Sequence, residues 1–281
     1  MPQPLHDVFH QLDQALAAAV AAAAPSVVRV ARGHGHGGTG IAWSEDLVIT
    51  SSFHTPDKTK VDDRDAEVIG RDPGTDVALL RVTGGGLTPA KLRDLDGLAV
   101  GNLALAIGRP GKTARASLRA IGVLGPEYKT PWGGKLDTYV ESDRQIPRGF
   151  AGGPLIDADG AVIGMNTRTL LRGADVAVPV ATLRRVVAEL EQHGGVRRGY
   201  LGVGAYPAQG GALVASLEDG GPAAAAGVLV GDIIQQIDGE AVTGPDDLRE
   251  VIGDRPGKTV KVVVPRGGQK VELDVAIGTK P

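Results

Sequence analysis

The chain has no cysteine, very few aromatic residues and no long apolar run. Its 281 residues include 42 glycines and 18 prolines, and aromatic residues make up 3%. Without cysteine there is no disulfide, no thiol catalysis and no cysteine-bound zinc. The formal net charge of -3 gives no general attraction for nucleic acid or for an anionic membrane. The length is sufficient for two or three compact domains.

The alanine-rich segment from Ala15 to Ala24 has the apolar character of a secretion signal but lacks its basic flank. Asp7 and Asp13 precede it, and the first Lys or Arg is Arg29. A secretion signal needs positive charge before the apolar stretch, and no run is long enough to span a bilayer. We expect a cytoplasmic location if the chain is full length, and a periplasmic or extracytoplasmic one if an export signal has been removed.

Residues 4–23 have apolar side chains at helical spacing, which predicts an N-terminal amphipathic helix that Pro25 ends. The apolar positions are Leu5, Val8, Phe9, Leu12, Leu16 and Val20. Two interpretations of this stripe remain open. It packs on the chain's own core, or it contacts another subunit or partner.

From Ser26 onward the pattern changes to many short β-rich runs between turn residues, such as Val27–Val30 and Val77–Val82. Short strands without long intervening helices predict a mainly β protein built of barrels or a sandwich. A loop-like stretch at 97–101 divides the series into two halves. A helix is predicted at Val180–Gln192, ended by glycines.

The remainder of the chain has the pattern of a separate unit. It contains further short strands and a helix at Asp246–Ile252, with acidic residues in its first turn. We therefore predict an N-terminal helix at 1–24, a double-barrel domain at 25–192, a linker at 193–198 and a second domain at 199–281.

Several motifs in the right order resemble the HtrA family, in which a chymotrypsin-like protease domain of two β-barrels precedes a PDZ domain. The matching segments are Gly38-Thr39-Gly40-Ile41, Thr75-Asp76-Val77-Ala78-Leu79-Leu80, Ala106-Ile107-Gly108-Arg109-Pro110-Gly111, Gly149-Phe150-Ala151-Gly152-Gly153-Pro154, Gly173 to Pro179, and Gly199-Tyr200-Leu201-Gly202-Val203. The resemblance implies this fold class over nearly the whole chain after Pro25.

The resemblance also implies a catalytic triad, and two of its three positions are occupied by residues without the required chemistry. Asp76 matches the aspartate, but Phe53 stands at the histidine position and Ala151 at the serine position. A triad needs a nucleophile and a base within hydrogen-bond reach. His54 follows directly, yet a slip of one residue turns a side chain by about 100° on a helix, so we expect it to point away from Asp76.

Other residues near these positions have simpler interpretations. Gly149 and Phe150 belong to the loop that forms the oxyanion hole in the family. Without a histidine, Asp76 is expected to accept hydrogen bonds from nearby backbone amides. Four arginines from the segments that line the family's cleft are interpreted as surface charges, with a cleft that binds an acidic peptide or other anion as the alternative; they are Arg144, Arg148, Arg168 and Arg172. His34 and His36 are too few for a metal site, so no metal or other cofactor is expected.

The PDZ-like segment retains the features that the family uses to capture a peptide's terminal carboxylate. The residues that match are Tyr200, Leu201, Gly202 and Val203, and the facing helix offers Leu248, Val251 and Ile252 for an apolar pocket. In such domains the peptide adds a strand to the sheet edge. The alternative is a PDZ fold that only packs against the barrels. Pro207 should limit how far an added strand extends.

These observations favour an HtrA-like pseudoprotease that binds peptides or unfolded proteins through its PDZ domain, as a scaffold, adaptor or chaperone. The loss of two triad positions favours this over the alternative, an active serine endopeptidase represented by an inactivated variant. A structural subunit that assembles with itself or with active homologues through the N-terminal helix is a third possibility. The expected partners are peptides or protein C-termini, with no nucleic acid and no membrane span.

Overall fold

The computed structural model describes residues 5–31, 37–171, 173–253 and 255–280, apart from the side chains of Leu5 and His54. The chain folds into two compact units, Met1–Val196 and Arg197–Pro281. The elements of the first unit are α1 (Leu5–Ala23), β1 (Val27–Val30), β2 (Gly38–Ala42), β3 (Leu47–Ser51), β4 (Lys58–Val61), β5 (Arg64–Asp72), β6 (Val77–Val82), β7 (Leu103–Gly108), β8 (Arg115–Gly125), β9 (Tyr128–Lys129), β10 (Lys135–Leu136), β11 (Tyr139–Ser142), β12 (Pro154–Ile156), β13 (Val162–Leu171), β14 (Ala174–Pro179) and α2 (Val180–His193).

The N-terminal helix uses only part of its apolar stripe for packing. Ala19 and Ala23 are buried in the core of the first unit, and Leu16 and Val20 pack against it. The helix backbone approaches so closely that a Cβ on Gly160 would lie 2.7 Å from the Ala19 carbonyl oxygen. In the first half of the helix, three apolar side chains are exposed by 47%, 62% and 40%; they are Val8, Phe9 and Leu12. The second half of the stripe therefore packs on the chain's own core, and a contact of the first half with another subunit or partner stays a prediction.

The first unit contains two closed six-stranded barrels among its described residues, so the predicted double barrel is confirmed. The first barrel has strand order β1-β2-β3-β6-β5-β4, and the second has β11-β14-β13-β12-β7-β8. Strands β4 and β5 were not predicted. They are rich in charged residues with partly exposed side chains, and their turn is formed by Asp62 and Asp63, both at positive φ.

The predicted helix at 180–192 is α2, which ends one residue later. Its buried face packs on the cluster that also holds residues of both barrels. The helix is ended by Gly194, whose φ of 72° is left-handed and whose amide donates to the carbonyl of Leu190 at 2.9 Å. Glycine is the residue that most readily adopts this conformation.

Among its described residues, the second unit contains three small sheets and two helices around its own apolar core. Its elements are β15 (Arg198–Tyr200), β16 (Val203–Ala208), β17 (Gly211–Leu217), α3 (Pro222–Ala225), β18 (Ile233–Ile234), β19 (Gln236–Ile237), β20 (Glu240–Ala241), α4 (Pro245–Gly253), β21 (Thr259–Arg266), β22 (Gln269–Ala276) and β23 (Gly278–Lys280). The sheet order β16-β17-β18 leaves β16 at a sheet edge.

Candidate functional site

Asp76 lies in the turn between β5 and β6 of the first barrel and is fully buried. Its φ of 59° is left-handed, a conformation that aspartate tolerates better than most residues. The preceding turn is held by Asp72, which accepts from the hydroxyl of Thr75 at 2.6 Å and from the amide of Gly74 at 3.0 Å. The carbonyl of Asp76 accepts from the amide of Ser52 at 3.0 Å. The carboxylate is therefore held in one position by its own backbone.

Four groups donate hydrogen bonds to the Asp76 carboxylate. The hydroxyl of Ser51 lies 2.9 Å from both oxygens, and the amide of Phe53 lies 3.0 Å from Oδ1. From β13 of the second barrel, Thr167 donates to Oδ2 at 2.5 Å and Thr169 at 3.2 Å. The expectation of backbone donors was thus wrong in part, because three of these four groups are side-chain hydroxyls.

This environment has opposing effects on the pKa of Asp76. Burial raises it above the ordinary value of 3.8, while the hydrogen bonds from Phe53, Thr167, Ser51 and Thr169 lower it, and burial has the larger effect. Since Thr167 and Thr169 come from the other barrel, the same hydrogen bonds join the two barrels. The carboxylate therefore links the barrels structurally.

At the position where the resemblance places a histidine stands Phe53, which is 41% exposed and bonds to Asp76 through its backbone amide. It packs on Trp132 with ring centroids 5.4 Å apart and planes at 59°. Trp132 lies between β9 and β10, and this hairpin is attached to the first barrel by the Thr130 hydroxyl, which donates to the Gly74 carbonyl at 2.7 Å. Phe53 therefore contributes an apolar surface rather than a base. The prediction for the His54 side chain lies outside the described residues.

The loop from Gly149 to Pro154 keeps the backbone arrangement that its glycines require. Gly152 has a φ of 86°, and a Cβ there would clash with the Thr50 side chain and the amide of Ser51. The amide of Gly152 donates to Asn166, and the amide of Asn166 donates to Gly153, both at 2.8 Å. Ala151 follows Phe150 in this loop, and its methyl group is buried with a residual exposure of 3%.

Phe150 fills the core of the second barrel beside Ala151. Its ring occupies the space left by Gly108, since a Cβ on that glycine would lie 2.5 Å from the ring. Thr39 holds the loop from the first barrel: its hydroxyl donates to the carbonyl of Gly149 at 2.6 Å and accepts from the amide of Arg109 at 2.7 Å. The loop is therefore held by packing in the second barrel and by a hydrogen bond from the first barrel.

The amides of Gly149 and Ala151 are the pair that the resemblance assigns to an oxyanion hole. Neither amide donates to an oxygen atom of any residue that the structure describes. The amide between them, that of Phe150, donates to the carbonyl of Pro147 at 3.2 Å. This arrangement is compatible with two amides directed at an anion, and the assignment stays a prediction.

In the second unit, the segment Tyr200–Val203 connects β15 to the edge strand β16. The carbonyls of Leu201 and Gly202 accept from the amides of Ala223 and Glu218, each at 2.8 Å. Over the described part of the chain, the amides of Leu201 and Gly202 donate to no protein oxygen. Gly202 has a φ of 73°, which directs the backbone around this turn. The loop therefore bonds both carbonyls within the second unit, while these two amides have no acceptor among the described residues.

The helix predicted beside this loop is α4, at Pro245–Gly253. Leu248 and Ile252 are buried in the core of the second unit, and Val251 is half-buried against it. Residue Pro207 lies within β16 and pairs with Ala212 of β17. Of the three apolar side chains predicted to line a pocket, Val251 retains the most accessible surface.

The remaining predicted residues give no further site by themselves. Arg144 and Arg168 are exposed or half-exposed and pair with Asp143 at 3.3 Å and with Asp175 at 3.8 Å, while Arg172, His34 and His36 lie outside the described residues. No group of His, Cys, Asp and Glu that could hold a metal occurs among the described residues. Sequence reasoning missed Thr167, Thr169 and Trp132, which have no distinctive local pattern.

Comparison with known proteins defines the class. Residues 38–165 match the trypsin-like peptidase domain and residues 199–277 match the PDZ domain. The chain is therefore a trypsin-like peptidase fold followed by a PDZ domain. Within the described residues, no helix is both long and apolar enough to cross a membrane.

The individual relatives identify the family. The chain is 32% identical over 270 residues to a probable periplasmic serine endoprotease DegP-like of Pseudomonas fulva, covering 87% of this chain and 56% of that relative. The structure of the HtrA-type protease AlgW with a decapeptide has a TM-score of 0.73 and 27% identity, covering 95% of this chain and 99% of that one. A variant of AlgW with a tripeptide has a TM-score of 0.72 and 30% identity, covering 95% and 97%.

The chain belongs to the HtrA family. It spans about half the length of the curated relatives that it matches.

Proposed function

We propose that this chain is an HtrA-family protein without serine endopeptidase activity, which binds peptides or unfolded segments as a scaffold, adaptor or chaperone. The observation that carries the proposal is the environment of Asp76. Its carboxylate accepts from Ser51, Phe53, Thr167 and Thr169, while Phe53, at the position that the resemblance assigns to the base, packs on Trp132.

Catalysis by a triad requires a hydroxyl or thiol that a base can deprotonate. Ala151 has neither, and its methyl group is buried in the core of the second barrel. Loss of a triad member costs about 10⁴–10⁶ in turnover. Since the triad acts as a unit, one of the two losses alone abolishes ordinary activity.

The second unit supports the binding part of the proposal. Strand β16 lies at a sheet edge, and the amides of Leu201 and Gly202 precede it without a protein acceptor among the described residues. A peptide added to this edge would place its terminal carboxylate at those amides. The side chain of its last residue would then lie toward α4, where Val251 is half-buried.

The test compares labelled decapeptides that end in aliphatic residues, each with a free and with an amidated C-terminus, by fluorescence anisotropy. We expect binding of the free forms only. Val251→Lys should weaken it at least about tenfold because a charge enters an apolar contact. Arg249→Ala, an exposed position on the same helix, is the matched control and should bind normally. Equal binding of amidated peptides, or no binding of any peptide, would contradict the proposal.

The exposed apolar side chains of Val8, Phe9 and Leu12 support assembly with another copy of the chain or with an active homologue. Replacing the three with serine should reduce the mass measured by light scattering, and an unchanged mass would count against assembly through α1. Relatives named as periplasmic support an extracytoplasmic location, which cell fractionation tests.

A further inference from the structure

Arg119 is a buried arginine in which two guanidinium nitrogens have no hydrogen-bond partner among the described residues. It lies on the inward face of β8, and its exposure is 2%. Its Nη1 donates to the carbonyl of Arg144 at 2.8 Å, but Nε and Nη2 are buried without a hydrogen-bond partner among the described residues. A buried charge is costly unless it is paired and hydrogen-bonded, so these donors require an explanation.

The two carboxylates near Arg119 are occupied by other donors. Asp143 accepts from the amide of Ala120 at 3.1 Å and pairs with Arg144 at 3.3 Å. Asp175 accepts from the amide of Ile146 at 2.6 Å. Burial lowers the pKa of Arg119, and attraction by Asp143 and Asp175 opposes this only partly.

The two aspartates near Arg119 each pair with another arginine. Asp143 pairs with Arg144 at 3.3 Å, and Asp175 pairs with Arg168 at 3.8 Å. The Nε and Nη2 donors of Arg119 are therefore available to an anion. A carboxylate fits because its two oxygens match two neighbouring guanidinium N–H groups.

Arg119 shares one face of β8 with a residue that packs beside the loop at Phe150 and Ala151. Ile121 follows Arg119 on the same inward face of β8, and it packs in one cluster with Ile146, Phe150 and Ala151. In trypsin-like proteases the pocket beside the nucleophile binds one substrate side chain. Arg119 lies two residues before Ile121 on β8, the strand that contributes to this cluster.

We propose that Arg119 is the carboxylate-binding group of a side-chain pocket in the second barrel, so that the cleft selects peptides with an acidic side chain. This inference rests on the proposed function insofar as a peptide enters the cleft. Within residues 143–148 only Ile146 is buried, and its amide is held by Asp175. An acidic side chain would reach Nε and Nη2 only if Ile146 were displaced.

The test uses N-acetyl-glutamic acid α-amide as the probe and N-acetyl-glutamine α-amide as its neutral match. Neither has a terminal carboxylate, so neither engages the loop at Leu201 and Gly202. The Nε–H signal of Arg119 is followed by NMR in the ¹⁵N-labelled chain. It is assigned by its absence from the spectrum of Arg119→Lys.

The expected result is a saturable shift of this signal with the glutamic acid probe and none with the glutamine probe. Arg119→Met should weaken probe binding at least about tenfold, as the loss of a charged hydrogen-bond pair does. Arg115→Met, at an exposed position on the same strand, should leave it unchanged.

An unmoved Nε–H signal up to the solubility limit of the probe would overturn the proposal, as would equal shifts with both probes. The wild-type titration decides the question even if Arg119→Met fails to fold. Binding of C-terminal peptides is measured in the same samples. A negative probe result with intact peptide binding therefore rejects the Arg119 pocket alone, and loss of peptide binding rejects the proposed function.

Discussion

Removal of one hydroxyl, in Thr167→Val, tests the role of Asp76 as a structural link between the barrels. Thr167 is fully buried and donates to Oδ2 at 2.5 Å. Valine keeps the shape of threonine but leaves the carboxylate without this donor. A hydrogen bond to a charged group contributes about 1.5–3 kcal/mol. We therefore expect the free energy of unfolding of the first unit to fall by that amount.

The assay is urea unfolding followed by tryptophan fluorescence. Both tryptophans, Trp43 and Trp132, belong to the first unit, so the signal reports on that unit alone. The matched control is Thr169→Val. Thr169 is only half-buried and its bond to Asp76 is 3.2 Å long, so its loss should cost less than about 1 kcal/mol.

The effect should depend on pH in a defined direction. Burial raises the folded pKa of Asp76 above its ordinary value. The contribution of this group to stability is therefore fully present below the unfolded pKa and is lost as pH rises through the folded pKa. Thr167→Val removes a donor and so raises the pKa of Asp76 in the folded state further. The variant's loss of unfolding free energy relative to wild type should therefore grow as the pH rises from the folded-state pKa of the wild type to that of the variant. The role of Asp76 as a link between the barrels would be refuted if Thr167→Val were as stable as wild type at neutral pH. It would also be refuted if Thr167→Val and Thr169→Val lost the same free energy of unfolding.

Three further substitutions test the packing and the second unit. Gly108→Ala should destabilise the first unit by about 1–3 kcal/mol in urea unfolding, because the added Cβ would lie 2.5 Å from the Phe150 ring. An unchanged midpoint of the urea unfolding transition would contradict this. Asp232→Asn should cost about 2 kcal/mol in unfolding of the second unit, because it weakens the pair with Arg266 at 2.6 Å. The pKa of Asp232 is lowered mainly by its hydrogen bond from Arg266. The stability that Asp232 contributes is therefore present above its ordinary pKa and should be lost as pH falls through its folded pKa. Equal acid sensitivity of the wild type and Asp232→Asn would argue against this. Gly202→Ala should cost about 1 kcal/mol because φ is 73° there, and it should weaken peptide binding measured by calorimetry.

The sequence predicted the double barrel and the PDZ domain well because their motifs are local backbone requirements. Gly152 is an example: its positive φ and the nearby Thr50 side chain exclude any Cβ, so the backbone of this loop requires glycine there. The β4–β5 hairpin was missed because its charged, partly exposed residues lack an apolar pattern. Its turn at Asp62-Asp63, with both residues at positive φ, was the available signal.

The partners of Asp76 could not be predicted in the same way. Thr167 and Thr169 lie 91 and 93 residues further along the chain, and threonine is an ordinary residue in a strand. Arg119 presents the same difficulty, since a single arginine in a strand is usually a surface charge. Only the closure of the second barrel reveals that it is buried.

The most direct test of the account is whether Ala151→Ser restores a reactive serine. The purified variant is treated with a fluorophosphonate probe and assayed with labelled casein, with and without a C-terminal peptide that binds the second unit. We expect neither labelling nor cleavage, because Phe53 supplies no base and the Asp76 carboxylate is already occupied by hydroxyl donors. Labelling together with casein cleavage by this single variant would contradict the account and establish the chain as an inactivated endopeptidase.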